Sequence, residues 1–394
     1  MNSRVVNLML QIIAILTRYF LQMALFRKFS FFEIGELNIY LTFFTLSTII
    51  SGLEFHYLAN REIALSGENR IDSVAFRLLS ALFLTTVGCA IYLAINSPSG
   101  VNGSSVLFIA IAFIEYTNLE LSRLLVVCRK YIIANIFGII RSVSPYLPFT
   151  LERPTIADCL DFMFVICLAC AMAQLYLTTK TANIKFRAGG FYWGKINLIW
   201  PFFLTGVITS ATAFTERYAI RDVLGSEALG RYAIALIFVT ATDTFINGFF
   251  IQPNYATILR DLSQPQTRHI MIRKIFLVGL FSAAAASLIA VIFGDFLYAL
   301  LNKPAPSSSF IICALFAGFS KTLWSSLYYL YYANRAESKF SRVQIAFTAV
   351  TLLIFYLTLK LTHDIQAGLI SSAAAGVGIY FYGVSLIAHP QHPK

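Results

Sequence analysis

Twelve stretches of about twenty mostly apolar residues run through this 394-residue chain, at 5–26, 34–57, 74–96, 106–127, 131–150, 160–179, 196–216, 229–252, 274–301, 309–333, 343–361 and 367–388. A helix needs about 20 residues to cross the hydrocarbon core, where only helices and closed barrels satisfy every backbone N–H and C=O. The stretches therefore predict an all-α polytopic membrane protein of about twelve transmembrane helices. Only 12% of the residues are charged and the mean hydropathy is +0.72, against about 25% charged residues in a soluble domain. That excludes an ordinary cytosolic protein. Arg18 and Gln22 interrupt the first stretch and no small-residue cleavage site follows it, so it is expected to stay in the mature chain.

Lys and Arg set the orientation. They concentrate in 61–70, 129–130, 180–195, 260–274 and 335–342, whereas the alternate loops and helix ends hold chiefly Arg27, Lys28, Arg153, Arg217, Arg221, Lys303 and Lys360. The positive-inside rule then places both termini in the cytoplasm. The same dispersal accounts for most of the net charge of +11. Because it leaves no single basic patch, nucleic acid is not an expected partner. The longest connections, 61–73, 181–195 and 253–273, are cytoplasmic on this reading, and no soluble domain fits between the helices.

Several chemistries lack their residues. The five histidines form no H-x-x-x-H or H-E-x-x-H pattern, so no metal site is expected. Cys167 and Cys170 make a C-x-x-C pair inside an apolar helix, without the second pair that a zinc site needs. Neither a G-x-S-x-G elbow nor a G-x-x-x-x-G-K-[ST] phosphate loop occurs. No cofactor is expected, and neither is ATP hydrolysis within the chain.

An internal repeat appears at an offset of 195 residues. Phe32-Glu33-Ile34-Gly35-Glu36-Leu37-Asn38-Ile39-Tyr40-Leu41 aligns with Glu227-Ala228-Leu229-Gly230-Arg231-Tyr232-Ala233-Ile234-Ala235-Leu236, and Phe43, Thr45 and Phe55 align with Phe238, Thr240 and Phe250. The two copies fall on the second and eighth stretches. Six stretches per half preserve orientation, as in transporters built from parallel repeats. The expected organisation is an N-terminal six-helix lobe at 1–180, a cytoplasmic connector at 181–195 and a C-terminal six-helix lobe at 196–394, with a central cavity between the lobes.

Three cations lie near the middle of apolar stretches: Arg18, Arg141 and Lys321. A charge at that depth costs several kcal/mol unless it faces protein or water, so each is a functional-site candidate. At about 100° per residue, Asn7, Gln11, Arg18 and Gln22 share one face of the first helix. Thr205, Thr209, Thr212 and Glu216 make a second polar face, Thr240, Asp243, Thr244 and Asn247 a third, and Glu115 lies in the fourth stretch with Asn118 and Ser122. Alternatives stay open at these positions: Ser and Thr also bond their own backbone or join neighbouring helices, and Arg141 with Glu115 could form a structural ion pair.

The Phe32–Tyr40 segment, followed by Gly52-Leu53-Glu54-Phe55 and Asn60-Arg61-Glu62-Ile63-Ala64, resembles the second-helix signature of the O-antigen and polysaccharide flippases. Leu224-Gly225-Ser226-Glu227-Ala228-Leu229-Gly230-Arg231-Tyr232-Ala233 resembles the signature opening their second half. These flippases belong to the multidrug, oligosaccharidyl-lipid and polysaccharide exporter superfamily. The resemblance implies a MATE-like, two-lobed transporter in the bacterial inner membrane. Its substrate would be an undecaprenyl-diphosphate-linked glycan, moved from the cytoplasmic to the periplasmic leaflet, and its partners membrane lipids and the polysaccharide polymerase and chain-length machinery. On that expectation the cations hold the diphosphate, the Thr- and Asn-lined faces hold the glycan, and Glu115 or Asp243 carries any H⁺ or Na⁺ coupling. The rivals are a cation-coupled multidrug exporter of the same superfamily, which would more naturally carry a carboxylate in the first helix, and a membrane polysaccharide polymerase or ligase, which would need a large periplasmic loop.

Overall fold

The computed structural model describes residues 3–52, 82, 85, 86, 88, 103–127, 130–181, 196–246, 250, 252–303, 307–334 and 336–388. Within them every regular element is helical: α1 (Ser3–Lys28), α2 (Phe31–Gly52), α3 (Gly103–Val127), α4 (Tyr131–Val143) running into a 3₁₀ segment (Ser144–Thr150), α5 (Ile156–Thr181), α6 (Ile196–Leu224), α7 (Ser226–Phe245), α8 (Gln252–Ser263), α9 (Pro265–Leu300), α10 (Ser308–Ala333), α11 (Glu337–Thr362) and α12 (Ile365–Ala388). Among the described residues, five segments are long and apolar enough by themselves to cross a bilayer: Ile132–Thr150, Ile156–Lys180, Pro265–Ile289, Lys339–Thr362 and Ile365–Ile387. Helices α1, α2, α3, α6, α7 and α10 have 20 to 29 residues, hence about 30 Å or more of length, with polar residues breaking their apolar runs.

The helix starts follow from local chemistry. Ser30 and Glu33 form a reciprocal capping box on α2: Ser30 N–H donates to the Glu33 carboxylate at 2.8 Å and Glu33 N–H to Ser30 Oγ at 3.2 Å, satisfying donors that a helix N-terminus leaves open. Thr155 and Asp158 repeat the device on α5 at 2.7 and 3.2 Å. The expected span at 131–150 is α-helical only to Val143. Pro145 and Pro148 then lie in the 3₁₀ segment, buried, because each proline lacks an N–H for the α-helical ladder.

The chain divides into two compact units, 1–29 with 39–211 and 30–38 with 212–394. In the first, α3, α4 and α5 pack on one another, and α1 lies against α4 and the 3₁₀ segment. In the second, α10 is central, touching α7, α8, α9, α11 and α12.

The connection at 253–273 is helical. In α8, Ile258 and Leu262 are buried and join Met271, Ile275, Leu330 and Tyr331 in one core cluster, while Arg260 is exposed. With 12 residues, α8 is too short to span and lies as an amphipathic helix. Helix α9, at 36 residues, is about 54 Å long, so its basic first turns extend past the hydrocarbon thickness. There Arg268 fastens three helix ends. Its guanidinium donates to the Leu262 carbonyl at 3.0 Å, Asn334 Oδ1 at 2.8 Å and the Ile387 carbonyl at 3.4 Å, and Asn334 donates to the Leu330 carbonyl at 2.7 Å.

At the opposite end of the second unit the repeat becomes a contact. The start of α2 crosses the start of α7 so closely that a Cβ on Gly35 would overlap the Ser226 carbonyl oxygen, and one on Gly230 would overlap that of Phe31. Each partner lies 195 residues from its counterpart, so both contacts are one contact read in two directions. Arg221 Nε pairs with Glu36 at 3.0 Å and Ser226 Oγ donates to the same carboxylate. The Phe31 ring has the Arg231 guanidinium 5.3 Å and the Lys303 ammonium 5.8 Å from its centroid. Burial pushes the Lys303 pKa down, and the nearby Glu33 carboxylate partly restores it.

Candidate functional site

Among the described residues, α3, α4 and α5 bring a connected set of polar groups together inside apolar helices. Glu115, Asn118 and Ser122 recur at helical spacing on α3 and face Cys167 and Gln174 of α5. Arg141 Nε of α4 pairs with Glu115 Oε2 at 3.3 Å, and the Cys167 thiol donates to Glu115 Oε1 at 3.0 Å. Asn118 Nδ2 donates to the Cys167 carbonyl at 2.8 Å, Gln174 Nε2 to Asn118 Oδ1 at 2.8 Å, Ser122 Oγ to Gln174 Oε1 at 2.7 Å and Thr178 Oγ1 to the Gln174 carbonyl at 2.6 Å. Asn118, Gln174 and Thr178 are fully buried. The chain of bonds satisfies them in a medium where an unmade bond costs the full desolvation penalty.

One donor of the Glu115–Arg141 pair remains: Arg141 Nη1 is shielded from solvent and has no hydrogen-bond partner among the described residues. The pair Glu115–Arg141 carries no net charge, its side chains being 13% and 18% exposed, yet it offers one unused donor of a guanidinium suited to phosphate oxygens.

Helix α1 supplies a cation, Arg18, that has no ion-pair partner among the described residues. Met9, Ile13, Leu16 and Phe20 are each more than half exposed and form one stripe at helical spacing, the face for lipid. Arg18 is exposed on the opposite side of α1, about 140–180° away at 100° per residue. Gln22 shares the Arg18 face and is buried. Asn7 and Gln11 lie on that face of the helical backbone; their side chains are outside those described.

The threonine faces divide. Thr212 Oγ1 donates to Thr348 Oγ1 at 3.4 Å, joining α6 to α11. Thr240 is exposed, and its hydroxyl donates to the Leu236 carbonyl one turn back at 2.7 Å, a bond to its own backbone. The side chains of Thr205, Thr209, Asp243 and Lys321 and the whole of Asn247 lie outside the described residues. Cys167 and Gln174 were not legible as partners of α3. Their only signal is the spacing of Cys167, Gln174 and Thr178 along an otherwise apolar helix. Glu216, which shares the helical face of Thr205, Thr209 and Thr212 and from sequence suits surface pairing near the outer interface, is 7% exposed and accepts the hydroxyl of Tyr232. Among the described residues no cluster of His, Cys, Asp and Glu could hold a metal ion.

No family model and no curated protein matches the chain. Solved structures do. The chain is similar to an inward-facing multidrug resistance MATE family transporter of the MOP superfamily, with a TM-score of 0.67 at 13% identity over 96% of this chain and 98% of that one. An outward-facing structure described in the same words matches with a TM-score of 0.63 at 13% identity, over 96% and 94%. A MOP superfamily transporter from Pyrococcus furiosus, described as having a binding pocket of reverse polarity that suggests a different function, matches with a TM-score of 0.51 at 12% identity, over 97% and 96%. At this identity the likeness concerns fold: the chain has the all-helical, multi-pass fold of the MATE transporters.

Proposed function

We propose that the chain is an alternating-access transporter that flips an undecaprenyl-diphosphate-linked glycan from the cytoplasmic to the periplasmic leaflet of the bacterial inner membrane. The observation that carries this reading is Arg18. It is a mid-span cation on the side of α1 opposite the lipid-facing stripe, on a helix without any Asp or Glu, and a charge so placed needs a water-filled cavity or an anionic partner. A diphosphate supplies that partner. Arg141, through its unused Nη1 donor, and Lys321 complete the expected anion site, with the glycan against Gln11, Gln22, Thr205, Thr209, Thr212, Thr240, Asp243, Asn247 and Asn7. The polyprenyl tail stays in lipid while the two halves rock.

Glu115 or Asp243 would bind a coupling H⁺ or Na⁺. Of the two, Glu115 is paired with Arg141 at 3.3 Å.

The multidrug reading has its own support in what the MATE structures are described as doing. A cationic drug, however, would meet Arg18 as a like charge, which costs affinity. Deleting the gene separates the two. The flippase reading expects a polyprenyl-diphosphate glycan to accumulate, whereas unchanged lipid-linked glycan with new sensitivity to cationic drugs would establish the exporter instead.

A further inference from the structure

A cavity of about 400 Å³ opens in the second unit where α6 ends and α7, α10 and α12 begin. It is remote in sequence from the polar network of α3, α4 and α5, and its volume falls in the roughly 300–1,000 Å³ range of small-molecule sites. Glu227, Arg231, Ser307 and Gln366 line it together with the apolar Phe310 and Ile365. Three elements thus contribute hydrogen-bonding groups around an apolar wall.

The charges are held apart. Glu227 and Arg231 lie one turn apart on α7 in the order that favours an ion pair, yet they form none with each other; the guanidinium lies 5.3 Å from the Phe31 ring centroid instead. The Glu227 carboxylate is exposed toward solvent. On the far wall Gln366 Nε2 makes a 3.4 Å contact to Ser307 Oγ, near the outer limit for a hydrogen bond. The lining therefore presents a carboxylate acceptor, a carboxamide, a hydroxyl and a guanidinium, with no net charge. A simple anion or cation would meet an opposing like charge there. A neutral ring with several hydroxyls, one face apolar, matches both the polar groups and the wall, and the volume admits roughly one or two sugar rings.

We propose that this cavity is a glycan subsite at the extracytoplasmic end of the second unit, holding neutral sugar residues of the lipid-linked oligosaccharide. The assignment rests on the flippase reading and on the orientation that the Lys and Arg distribution gives. The subsite holds sugar on the release side while the diphosphate is engaged elsewhere.

The test uses glycan released by mild acid from the lipid-linked pool of a gene-deletion strain, and the purified full-length protein, with binding followed by saturation-transfer NMR and calorimetry. The wild type is expected to bind the released glycan, Glu227→Gln combined with Gln366→Ala to bind at least tenfold more weakly, and Asp222→Asn, outside the lining, to bind as the wild type does. Ser307→Ala, with a melting curve for every variant, replaces Gln366→Ala if that substitution unfolds the protein. No binding to the wild type, unchanged binding by the pocket variants, or displacement of the glycan by glycylglycine as a competing zwitterion would overturn the subsite alone. A deletion strain that accumulates no lipid-linked glycan would overturn the flippase reading and the subsite with it.

Discussion

Replacing Gly35 with Ala should loosen the crossing of α2 on α7 by an amount that the structure sets. A Cβ there would overlap the Ser226 carbonyl oxygen and lie 3.0 Å from its carbon and 3.1 Å from Gly230 N; a Cβ on Gly230 would lie 2.6 Å from the Phe31 carbonyl carbon. Carbon atoms prefer about 3.5–4.0 Å, so the helix starts must part by roughly 1 Å. The obstacle is backbone, which cannot rotate away as a side chain does. Overpacking of this kind costs about 1–3 kcal/mol, and the upper half is expected because parting also stretches the 3.0 Å Arg221–Glu36 pair. At about 2–4 °C per kcal/mol, melting of the purified protein should fall by about 5–10 °C. Gly230→Ala should match it. The double variant should lose less than the sum, since both act on one contact. Gly138→Ala is the control, because nothing lies within 4 Å of its Cβ and alanine favours helix by about 1 kcal/mol. Melting of Gly35→Ala within 1 °C of wild type would refute the close crossing.

The tether at the ends of α8, α10 and α12 predicts that Arg268→Ala lowers melting by about 2–3 kcal/mol of stability, as hydrogen bonds to a charged group are lost, and that Arg268→Lys restores less than half, since an ammonium cannot reproduce the fork; full rescue by Lys in a melting assay would contradict this. Glu115→Gln should destabilise by about 3–5 kcal/mol by stranding the Arg141 charge, whereas Glu115→Gln with Arg141→Met should recover most of the loss, and a double variant as unstable as the single one would show that the pair is not coupled. Cysteine at Arg18 should react with a water-soluble thiol reagent while cysteines at Leu16 and Phe20 resist despite their exposure, because that exposure is to lipid; equal reactivity at all three positions would remove the lipid-facing stripe.

What the sequence reveals best is what depends on period alone. The long apolar runs mark the helices, and the spacing of Asn7, Gln11, Arg18 and Gln22 marks the face of α1 opposite Leu16 and Phe20, because a 3.6-residue repeat fixes direction around a helix. Partner choice across helices is less legible. Glu115 and Arg141 can be named as a possible pair from opposite charge, but Cys167 and Gln174 cannot, since an apolar helix offers many small or polar residues with no rule for which will face α3. Gly35 and Gly230 align in the repeat without announcing that they touch; the contact comes from the two copies crossing at equivalent points. Helix α8 escapes notice for the opposite reason. Its apolar face rests on few positions, Ile258 and Leu262 foremost, too little for a hydropathy window tuned to membrane spans.

The most direct test of the anion site is complementation of the deletion strain, with lipid-linked and surface glycan measured against the amount of protein in the membrane. Arg18→Ala should leave that amount nearly unchanged while surface glycan falls and lipid-linked glycan accumulates, and Arg18→Lys should restore export better than Arg18→Gln. Normal export with both Arg18→Ala and Lys321→Ala, at wild-type abundance, would contradict the account.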